Sequence, residues 1–521
     1  MRALKLVTGS QMAEIDRRTI EEGIPGGALM ENAGRGVFEV VSEILEEVSG
    51  KSVTVICGRG NNGGDGFVVA RLLKERSTNL YVFLLGRKEE VQGDALINLN
   101  RLTDLDLDVT EVVEEDQVVG IEQAVKRSSL MVDAIFGTGI RGPVRGIAAK
   151  VIEVINAEEC PVVSVDLPSG LDADTGRFEG PCVLATATVT FGLPKVGHML
   201  YPGRGHCGSL RLVDIGLSER AVQEIPCQTY LISQGQVAEV LPRRPPDVHK
   251  TQCGRLIVIA GSVGLTGAAV LTSHAAMRMG AGMVTLGGPE SLNDVMEVKL
   301  TEVMTRPLPE VRKRRCLSLR ALGEIKRMCE QADCLAIGPG LSSHHETSEL
   351  VRRVLREVSI PLVVDADGLN ALRGAPKIFH EVKSSVVVTP HPGEFSRLTG
   401  APVAQIVADP IGTARRFSEA HKVTLVLKGA STVVAWSDGQ VFVNSTGNAG
   451  MATAGAGDVL TGITAALVGQ GVPPQEAAVA GVYLHGKAGD LARTARGEMG
   501  MVAGDLVDFL PEATQRVLKG T

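Results

Sequence analysis

The sequence is poor in aromatic residues and carries no excess of positive charge. Phe, Trp and Tyr make up 3% of its 521 residues, and 53 Lys and Arg against 60 Asp and Glu give a formal net charge of −7. Without a basic surplus, the composition disfavours a protein that binds nucleic acid or an anionic membrane surface. Hydrophobic residues at 44% and charged residues at 22% are ordinary for globular chains, which excludes disorder for most of the length.

Paired cysteines and membrane-spanning segments are also missing. The nine cysteines include no CxxC pair, and the closest two, Cys329 and Cys334, match no zinc-binding spacing. The first apolar run is too short for a signal peptide, so we expect reduced thiols in a cytoplasmic protein. Residues 256–277 contain no Asp, Glu, Lys or Arg, but their glycines predict a strand, a glycine loop and a helix, and not a membrane span.

Short β-branched runs alternate with glycine turns and amphipathic stretches along the chain. Glycine, at 61 of 521 residues, is well above its average share of about 7%. This alternation is typical of βαβ units in parallel sheets. In the first half it predicts strands near 52–57, 79–85, 130–136 and 161–167, with helices at 28–48, 65–75 and 147–158. In the second half it predicts strands near 255–260, 283–286, 334–337, 361–365, 385–389 and 423–427, with helices from residue 458 onward.

A break in this pattern divides the chain. The alternation ends near residues 214–216, and the proline-rich, charged segment 241–247 cannot form a central strand or the interior of a helix. A fresh series of strands and helices then begins. We therefore predict two α/β domains, at residues 1–222 and 223–521.

Three loops rich in small and polar residues follow predicted strands in the first half. They are residues 57–66 (CGRGNNGGDG), 133–143 (DAIFGTGIRGP) and 165–172 (VDLPSGLD). Glycines after a strand let backbone N–H groups approach a phosphate, and a helix N-terminus favours its negative charge. The first loop holds two asparagines and an aspartate close together, which a plain glycine turn does not need.

Oxygen-bearing side chains from these loops are expected to converge. In a parallel sheet, loops at the carboxyl ends of strands share one edge, so Asn62, Asp133, Asp166 and Ser169 can meet there. They offer hard oxygen ligands without a His or Cys cluster, which suits an alkali or alkaline-earth cation better than zinc. For Asp166, capping a turn is the alternative role.

The motifs NNGGDG, DAIFGTG and VDLPSGLDADTG, in this order, resemble the N-terminal domain of the NAD(P)H-hydrate repair enzymes over roughly residues 10–216. The resemblance implies a Rossmann-like NAD(P)H-hydrate epimerase with a potassium ion held by Asn62, Asp133 and Ser169, and with Asp166 as the best candidate for the acid/base group. The residues that it implies for contact with the hydrated cofactor are Asn61, Asn62, Gly63, Gly64, Asp65, Gly137, Thr138, Gly139, Ile140, Arg141, Gly142, Pro143 and Asp166.

The second half carries an anion-binding arrangement. Residues 428–432 (KGAST) follow a predicted strand, and the glycine-rich segment 448–458 ends in Asp458 at the start of a helix. Gly455, Gly457 and the N–H groups at the helix start can form an anion hole. Asp458 is placed to take a proton from a hydroxyl group that attacks a phosphate. An ordinary helix cap is the alternative role for this aspartate.

The GAGD arrangement is similar to the ribokinase-like superfamily. Together with GPGL, DADGLN and TPHPGE, it resembles the C-terminal domain of the same repair enzymes, an ADP-dependent (S)-NAD(P)H-hydrate dehydratase, over about residues 230–510. The resemblance implies Asp458 as general base and Gly340, His391 and Asp458 as substrate contacts. It departs at Ala449, where the family often has proline. The residues implied for nucleotide binding are Lys428, Gly429, Ala430, Ser431, Thr432, Asn448, Ala449, Gly450, Met451, Ala452, Thr453, Ala454, Gly455, Ala456 and Gly457.

The two resemblances together predict a repair enzyme that epimerises hydrated NADH and NADPH and dehydrates the S epimer with ADP and Mg²⁺. The alternatives are a ribokinase-type kinase for a vitamin precursor with an accessory first domain, and a first domain that only binds a ligand or a partner. We expect small-molecule substrates, no nucleic acid, no membrane, and a homo-oligomer.

Overall fold

The computed structural model describes residues 3–140 and 142–520. The chain folds into two compact units. The first unit is Lys5–Cys227, and the second unit is Gln228–Thr521 with the N-terminal residues up to Leu4. The sequence pattern had suggested a division near residue 222, and the compact units divide between Cys227 and Gln228.

The first unit is built around a sheet in which the six pairings of neighbouring strands among the described residues are all parallel. Alternate residues of a strand face opposite sides of the sheet: Val53 and Val55 pack in one apolar core, and Ile56 packs in the other. In order across the sheet, the strands are Val109–Glu111, Asn79–Leu84, Ser52–Cys57, Leu130–Ala134, Val162–Val165, Ala187–Phe191 and Ser209–Val213.

Helices cover both faces of this sheet, as the two separate apolar cores require. The α-helices of the first unit are Gly9–Glu21, Gly26–Leu45, Asn61–Lys74, Gly93–Thr103, Val118–Val125, Gly146–Ala157, Gly203–His206 and Glu219–Glu224.

The second unit has a larger sheet with a parallel centre. Val258 packs in one core while Ile257 and Ile259 pack in the other. The short strands 433–435 and 441–443 extend it in an antiparallel manner next to Thr424–Leu427. From residue 229 onward, the strands in order across the sheet are Thr229–Leu231, Val441–Val443, Val433–Ala435, Thr424–Leu427, Val386–Val388, Leu362–Val364, Cys334–Ile337, Arg255–Ile259, Met283–Pro289 and Met304–Leu308.

Two other strands, Glu310–Val311 and Cys316–Leu317, form a separate antiparallel pair in this unit, and a two-residue strand, Leu4–Lys5, comes first in the chain. The α-helices of the second unit are Gln234–Val240, Thr266–Arg278, Asn293–Lys299, Leu322–Cys329, His345–Glu357, Asp367–Asn370, Pro392–Thr399, Val403–Ala408, Pro410–His421, Ala456–Gly469, Pro474–Arg496 and Ala503–Lys519.

Two α/β domains with largely parallel sheets are thus confirmed. The uncharged stretch 256–277 forms the strand Arg255–Ile259 and most of the helix Thr266–Arg278, as expected. In the part of the chain that the structure describes, no helix combines the length and apolar character that a membrane span requires. All nine cysteines are free thiols.

Candidate active sites

The NNGGDG motif forms the first turns of a helix instead of a loop before one. The sequence pattern predicted that this helix starts at Asp65, but it starts at Asn61, with Gly60 in extended conformation as its cap. A Cβ at Gly63 would lie 1.8 Å from the carbonyl oxygen of Gly58, so only glycine lets the helix approach the preceding loop this closely. The motif therefore places polar side chains on a helix N-terminus at the sheet edge.

A cleft of about 760 Å³ lies at the carboxyl ends of the strands of the first unit. Gly63 and Gly64 are buried against other parts of the unit and do not line it, nor do Gly142 and Pro143. Arg141 lies outside the described residues. The predicted contact residues that the structure brings together in the cleft are Asn61, Asn62, Asp65, Gly137, Thr138, Gly139, Ile140 and Asp166.

Asp166 is held by a buried lysine at the cleft wall. Lys195 Nζ donates to Asp166 Oδ1 at 2.6 Å, and Thr190 Oγ1 donates to the same oxygen at 3.0 Å. Burial by itself would raise the pKa of Asp166, but the charge and hydrogen bond of Lys195 outweigh it, so the pKa is lowered. The group is therefore an ionised carboxylate in the cleft.

Two other carboxyl groups line the same cleft, and their pKa values are shifted in the opposite direction. Neither Asp16 nor Asp65 forms a side-chain hydrogen bond with any described residue, and both are at least partly buried. Burial raises the pKa of Asp16 to about 6, and burial with the neighbouring charges of Asp166 and Asp16 raises the pKa of Asp65 well above its usual value. The pKa of Asp166 is thus lowered while that of Asp65 is raised, and carboxyl groups whose pKa values are pushed apart in one site are typical of acid–base pairs in enzymes.

The predicted cation ligands lie beside this cleft. Asp133 is fully buried and accepts hydrogen bonds from the hydroxyl and backbone N–H of Ser169 and from Ser164. Ser169 Oγ also lies 3.3 Å from the carbonyl oxygen of Phe136. The side-chain nitrogen of Asn62 is buried without a hydrogen-bond partner in the described residues. Carboxylate, hydroxyl and carbonyl oxygens thus lie together at Asp133, Ser169 and Phe136, and Asn62 lies on the cleft wall with its Oδ1 near Gly137. Oxygen atoms of these kinds are ligands for hard cations.

In the second unit, Asp458 lies in the first turn of the helix Ala456–Gly469. Gly455 caps this helix with φ +94°, a left-handed conformation that glycine adopts without strain. Burial and the nearby Asp365 raise the pKa of Asp458 to about 7, although Lys428 opposes the shift. An aspartate with this pKa can exchange a proton near neutral pH, as a general base must.

A network of polar contacts lies near Asp458. Lys428 Nζ lies 2.7 Å from Asp365 Oδ1 and 3.8 Å from Glu394 Oε2. Thr461, on the Asp458 helix, donates to Asp365 Oδ2 at 2.7 Å. Burial opposes the charge on Lys428, but Asp365 and Glu394 raise its pKa, so it remains an ammonium group.

His391 and Gly340 reach the same sheet edge from other loops. His391 Nε2 lies 3.4 Å from Glu394 Oε1, and half of the His391 side chain is exposed. The carbonyl oxygen of Gly340 accepts a hydrogen bond from Ser262 at 2.8 Å, which joins the loops after two neighbouring strands. The predicted substrate contacts of this unit therefore follow strand carboxyl ends, as Asp458 does.

The predicted nucleotide contacts occupy two segments. Residues 428–432 follow the strand Thr424–Leu427, and residues 448–457 lead into the helix that carries Asp458. A Cβ built on Gly457 would lie 3.1 Å from Lys428 Nζ, so the two segments meet at the helix start. Asn448 Nδ2 donates to Asp490 Oδ1 at 3.0 Å, which anchors the second segment to the next helix.

Several polar residues of these sites were not assigned from the sequence. Asp365 and Glu394 stand within the DADGLN and TPHPGE motifs, so their signal was present although no role was given to them. Lys195 follows a strand, Ala187–Phe191, that the sequence pattern did not predict. Asp16 lies on the helix Gly9–Glu21, far along the chain from the glycine loops.

The first unit has a cleft lined by carboxyl groups, and the second unit has a titratable aspartate at a glycine-capped helix start beside a lysine. Together they define a two-domain α/β enzyme. The family model Carb_kinase, described as NAD(P)H-hydrate dehydratase, matches residues 256–512, and YjeF_N, described as YjeF-related protein N-terminus, matches residues 26–197.

Curated relatives match this chain over nearly its whole length. The chain is 45% identical to the bifunctional NAD(P)H-hydrate repair enzyme Nnr of Moorella thermoacetica, over 97% of this chain and 96% of that one. It is 36% identical to the enzyme of that name from Escherichia coli, over 94% of this chain and 90% of that one. The chain belongs to the family of bifunctional NAD(P)H-hydrate repair enzymes.

Among solved structures, one is an ADP/ATP-dependent NAD(P)H-hydrate dehydratase from Bacillus subtilis, co-crystallised with ATP/Mg²⁺. Its sequence is 30% identical to this chain, and the structural match covers 55% of this chain and 98% of that one, with a TM-score of 0.48.

Proposed function

We propose that this chain repairs NADH and NADPH that have been hydrated at the C5=C6 bond of the nicotinamide ring. The first unit interconverts the R and S epimers, and the second unit dehydrates the S epimer with ADP, which gives AMP and phosphate. The observation that carries the proposal is Asp458, with its pKa of about 7, at the glycine-capped start of a helix beside the ammonium of Lys428.

In the dehydration, the chain must convert hydroxide, a poor leaving group, into a good one. Asp458 accepts the proton of the C6 hydroxyl while that oxygen bonds to the terminal phosphorus of ADP and the bond to the AMP oxygen breaks. Lys428 and the N–H groups at the helix start favour the negative charge of the transferring group. The N1 lone pair then expels phosphate from C6, and loss of a C5 proton restores the C5=C6 bond.

In the epimerisation, Asp166 is the base and Asp65 is the acid. Asp166 accepts the proton of the C6 hydroxyl, the oxygen electrons form a C=O bond, and the C6–N1 bond breaks with its electron pair moving to N1. Asp65 gives its proton to N1. Rotation about the C5–C6 bond presents the other face of the aldehyde, and the same steps in reverse close the ring as the other epimer.

We assign epimerisation to the first unit and dehydration to the second unit. In the first unit, Asn62, Asp133 and Ser169 would hold potassium, which would orient the substrate and its phosphates. The remaining predicted cleft residues would contact the hydrated cofactor. In the second unit, residues 428–432 and 448–457 would hold ADP with Mg²⁺, and Gly340 and His391 would contact the substrate. Assembly as a homo-oligomer remains a prediction.

The products of the second reaction test the proposal against a kinase. Pure S epimer and ADP are incubated with the chain, and NADH, AMP and phosphate are quantified. Equal amounts of all three support the proposal. A stable phosphorylated alcohol without restored NADH would indicate a ribokinase-type kinase instead.

A further inference from the structure

Lys195 is a charged side chain buried in the wall of the first-unit cleft. It is 1% exposed, and its Nζ contacts Asp166 Oδ1 at 2.6 Å, Thr190 Oγ1 at 2.9 Å and the carbonyl oxygen of Phe191 at 3.3 Å. An ammonium group has three N–H donors and no acceptor, so these contacts use all of them. Lys195 therefore has no free proton with which to bind or protonate a substrate.

Stability alone is a poor reason for this buried pair. Taking two charges out of water costs about as much as their attraction returns, and apolar residues of similar volume often replace such pairs without loss. Lys195 also lines the cleft whose predicted contacts include Asp166. A role in the chemistry of Asp166 accounts better for the charge at this position.

The backbone of Asp166 is held by the same segment. Asp166 has φ +63°, a conformation that residues other than glycine rarely adopt and that surrounding contacts must maintain. His198 Nε2 bonds to the carbonyl oxygen of Asp166 at 2.9 Å, and His198 Nδ1 accepts from the backbone N–H of Lys195 at 3.0 Å. Since Nδ1 is an acceptor, the proton lies on Nε2, which donates to Asp166.

These contacts leave one oxygen of the carboxylate available. Asp166 Oδ1 accepts from Lys195 and Thr190, whereas Oδ2 accepts no hydrogen bond from any described residue. Oδ2 lies 3.5 Å from the position that a Cβ on Gly137 would take, so it faces the glycine loop that lines the cleft. The free oxygen is the one on the substrate side.

We propose that Lys195 is the positioning residue of the epimerase site: it keeps the Asp166 carboxylate charged and turns Oδ2 toward the C6 hydroxyl of the substrate, while His198 fixes the Asp166 backbone. This inference rests on the proposed epimerase function of the first unit. It predicts that Lys195 affects the rate of the bound reaction and not the affinity for the substrate, because its donors are all occupied by the protein.

The test measures R-to-S epimerisation by the full chain with Lys195→Met and Lys195→Arg. Methionine keeps the length of the side chain and loses the charge, and we expect kcat to fall ~100-fold or more with KM within about threefold of wild type. Arginine keeps the charge with a different donor geometry, so we expect partial recovery of kcat relative to methionine. Added propylammonium, which matches the atoms that the change removes, should also restore part of the activity of Lys195→Ala, since the cleft reaches this position.

A third variant, which keeps the charge of Lys195, and a second readout in the other unit help to distinguish a loss of positioning from a fold defect. Thr190→Val removes one acceptor of Lys195 and one donor to Asp166, and we expect an intermediate loss of kcat. Dehydration of pure S epimer in the second unit should be unchanged in every variant. If kcat of Lys195→Met stays within about threefold of the wild-type value, or if KM rises while kcat is unchanged, the positioning role of Lys195 is wrong, although the proposed function of the first unit can still hold. A wild-type chain that does not epimerise would overturn both this inference and the proposed function of the first unit.

Discussion

Lys428 and the buried Asp365 form an ion pair, 2.7 Å apart, at the start of the helix that carries Asp458. Lys428 keeps a positive charge available for a phosphate, while Asp365 supplies a negative charge that helps to raise the pKa of Asp458 to about 7. The pair therefore connects binding of an anion to the strength of the neighbouring base.

The pH dependence of dehydration follows from this relationship. Asp458 can accept a proton only when it is ionised, so kcat for the S epimer should rise about tenfold per pH unit below pH about 7 and level off above it. Asp365→Asn removes the neighbouring negative charge and should move the rise to lower pH. Initial rates at saturating ADP measure both curves. A wild-type rate that is flat across this range would contradict a base at Asp458.

Removing the base should separate chemistry from binding. Asp458→Asn keeps the size of the side chain and should lower the dehydration rate ~100–10,000-fold, because the substrate hydroxyl loses its proton acceptor. Calorimetry should show that ADP still binds. Asp294→Asn, which changes an exposed aspartate in the first turn of another helix of the same unit, is the matched control and should leave the rate unchanged. Near wild-type turnover in Asp458→Asn would exclude this aspartate as the base.

The glycine at the cap of the Asp458 helix is expected to be needed for nucleotide binding. Gly455 has φ +94°, and a Cβ there would lie 2.5 Å from Leu271 Cδ1. Gly455→Val should therefore distort the segment before the helix and weaken ADP binding by about tenfold or more. Gly323→Val, at an exposed helical glycine with open space around it, should bind ADP normally. Unchanged ADP affinity in a folded Gly455→Val chain would remove this segment from the nucleotide site.

The cation site predicts a reaction-specific defect. Asp133→Asn removes the anionic ligand and should impair R-to-S epimerisation, while dehydration of pure S epimer continues in the other unit. Because a ligand that binds the folded state stabilises it, KCl should raise the melting temperature of the wild-type first unit more than NaCl does, and this difference should vanish in Asp133→Asn. Asp108→Asn, an exposed aspartate of the same unit, serves as the control. Normal epimerisation by Asp133→Asn, with the potassium effect intact, would contradict the proposed site.

The sequence predicted the parallel architecture because many of its buried strands are short continuous apolar runs. Ser52–Cys57 and Cys334–Ile337 have the predicted bounds. Val109–Glu111 has only three residues, and all five residues of the edge strand Ser209–Val213 are exposed or partly exposed, so neither has the buried apolar run that marks a central strand.

The candidate sites were predicted to the extent that their residues stand in glycine-rich motifs. Asn62, Asp166 and Asp458 follow or open regular elements, so their place at the sheet edge follows from topology. Lys195 and Asp16 carry no local motif, and only the fold brings them to the cleft. The protonation states of the carboxyl groups likewise depend on burial and on neighbours that are distant in sequence.

Two sites in one chain are expected to act in succession on the same damaged cofactor. The most direct measurement incubates a mixture of R and S epimers with the chain and ADP, and follows the absorbance of the restored dihydropyridine until it stops. We expect an absorbance amplitude that corresponds to both epimers together. In Asp166→Asn, the part of the amplitude that comes from the R epimer should appear more slowly. An amplitude that stops at the S fraction in the wild-type chain, or no absorbance change at all, would contradict this expectation.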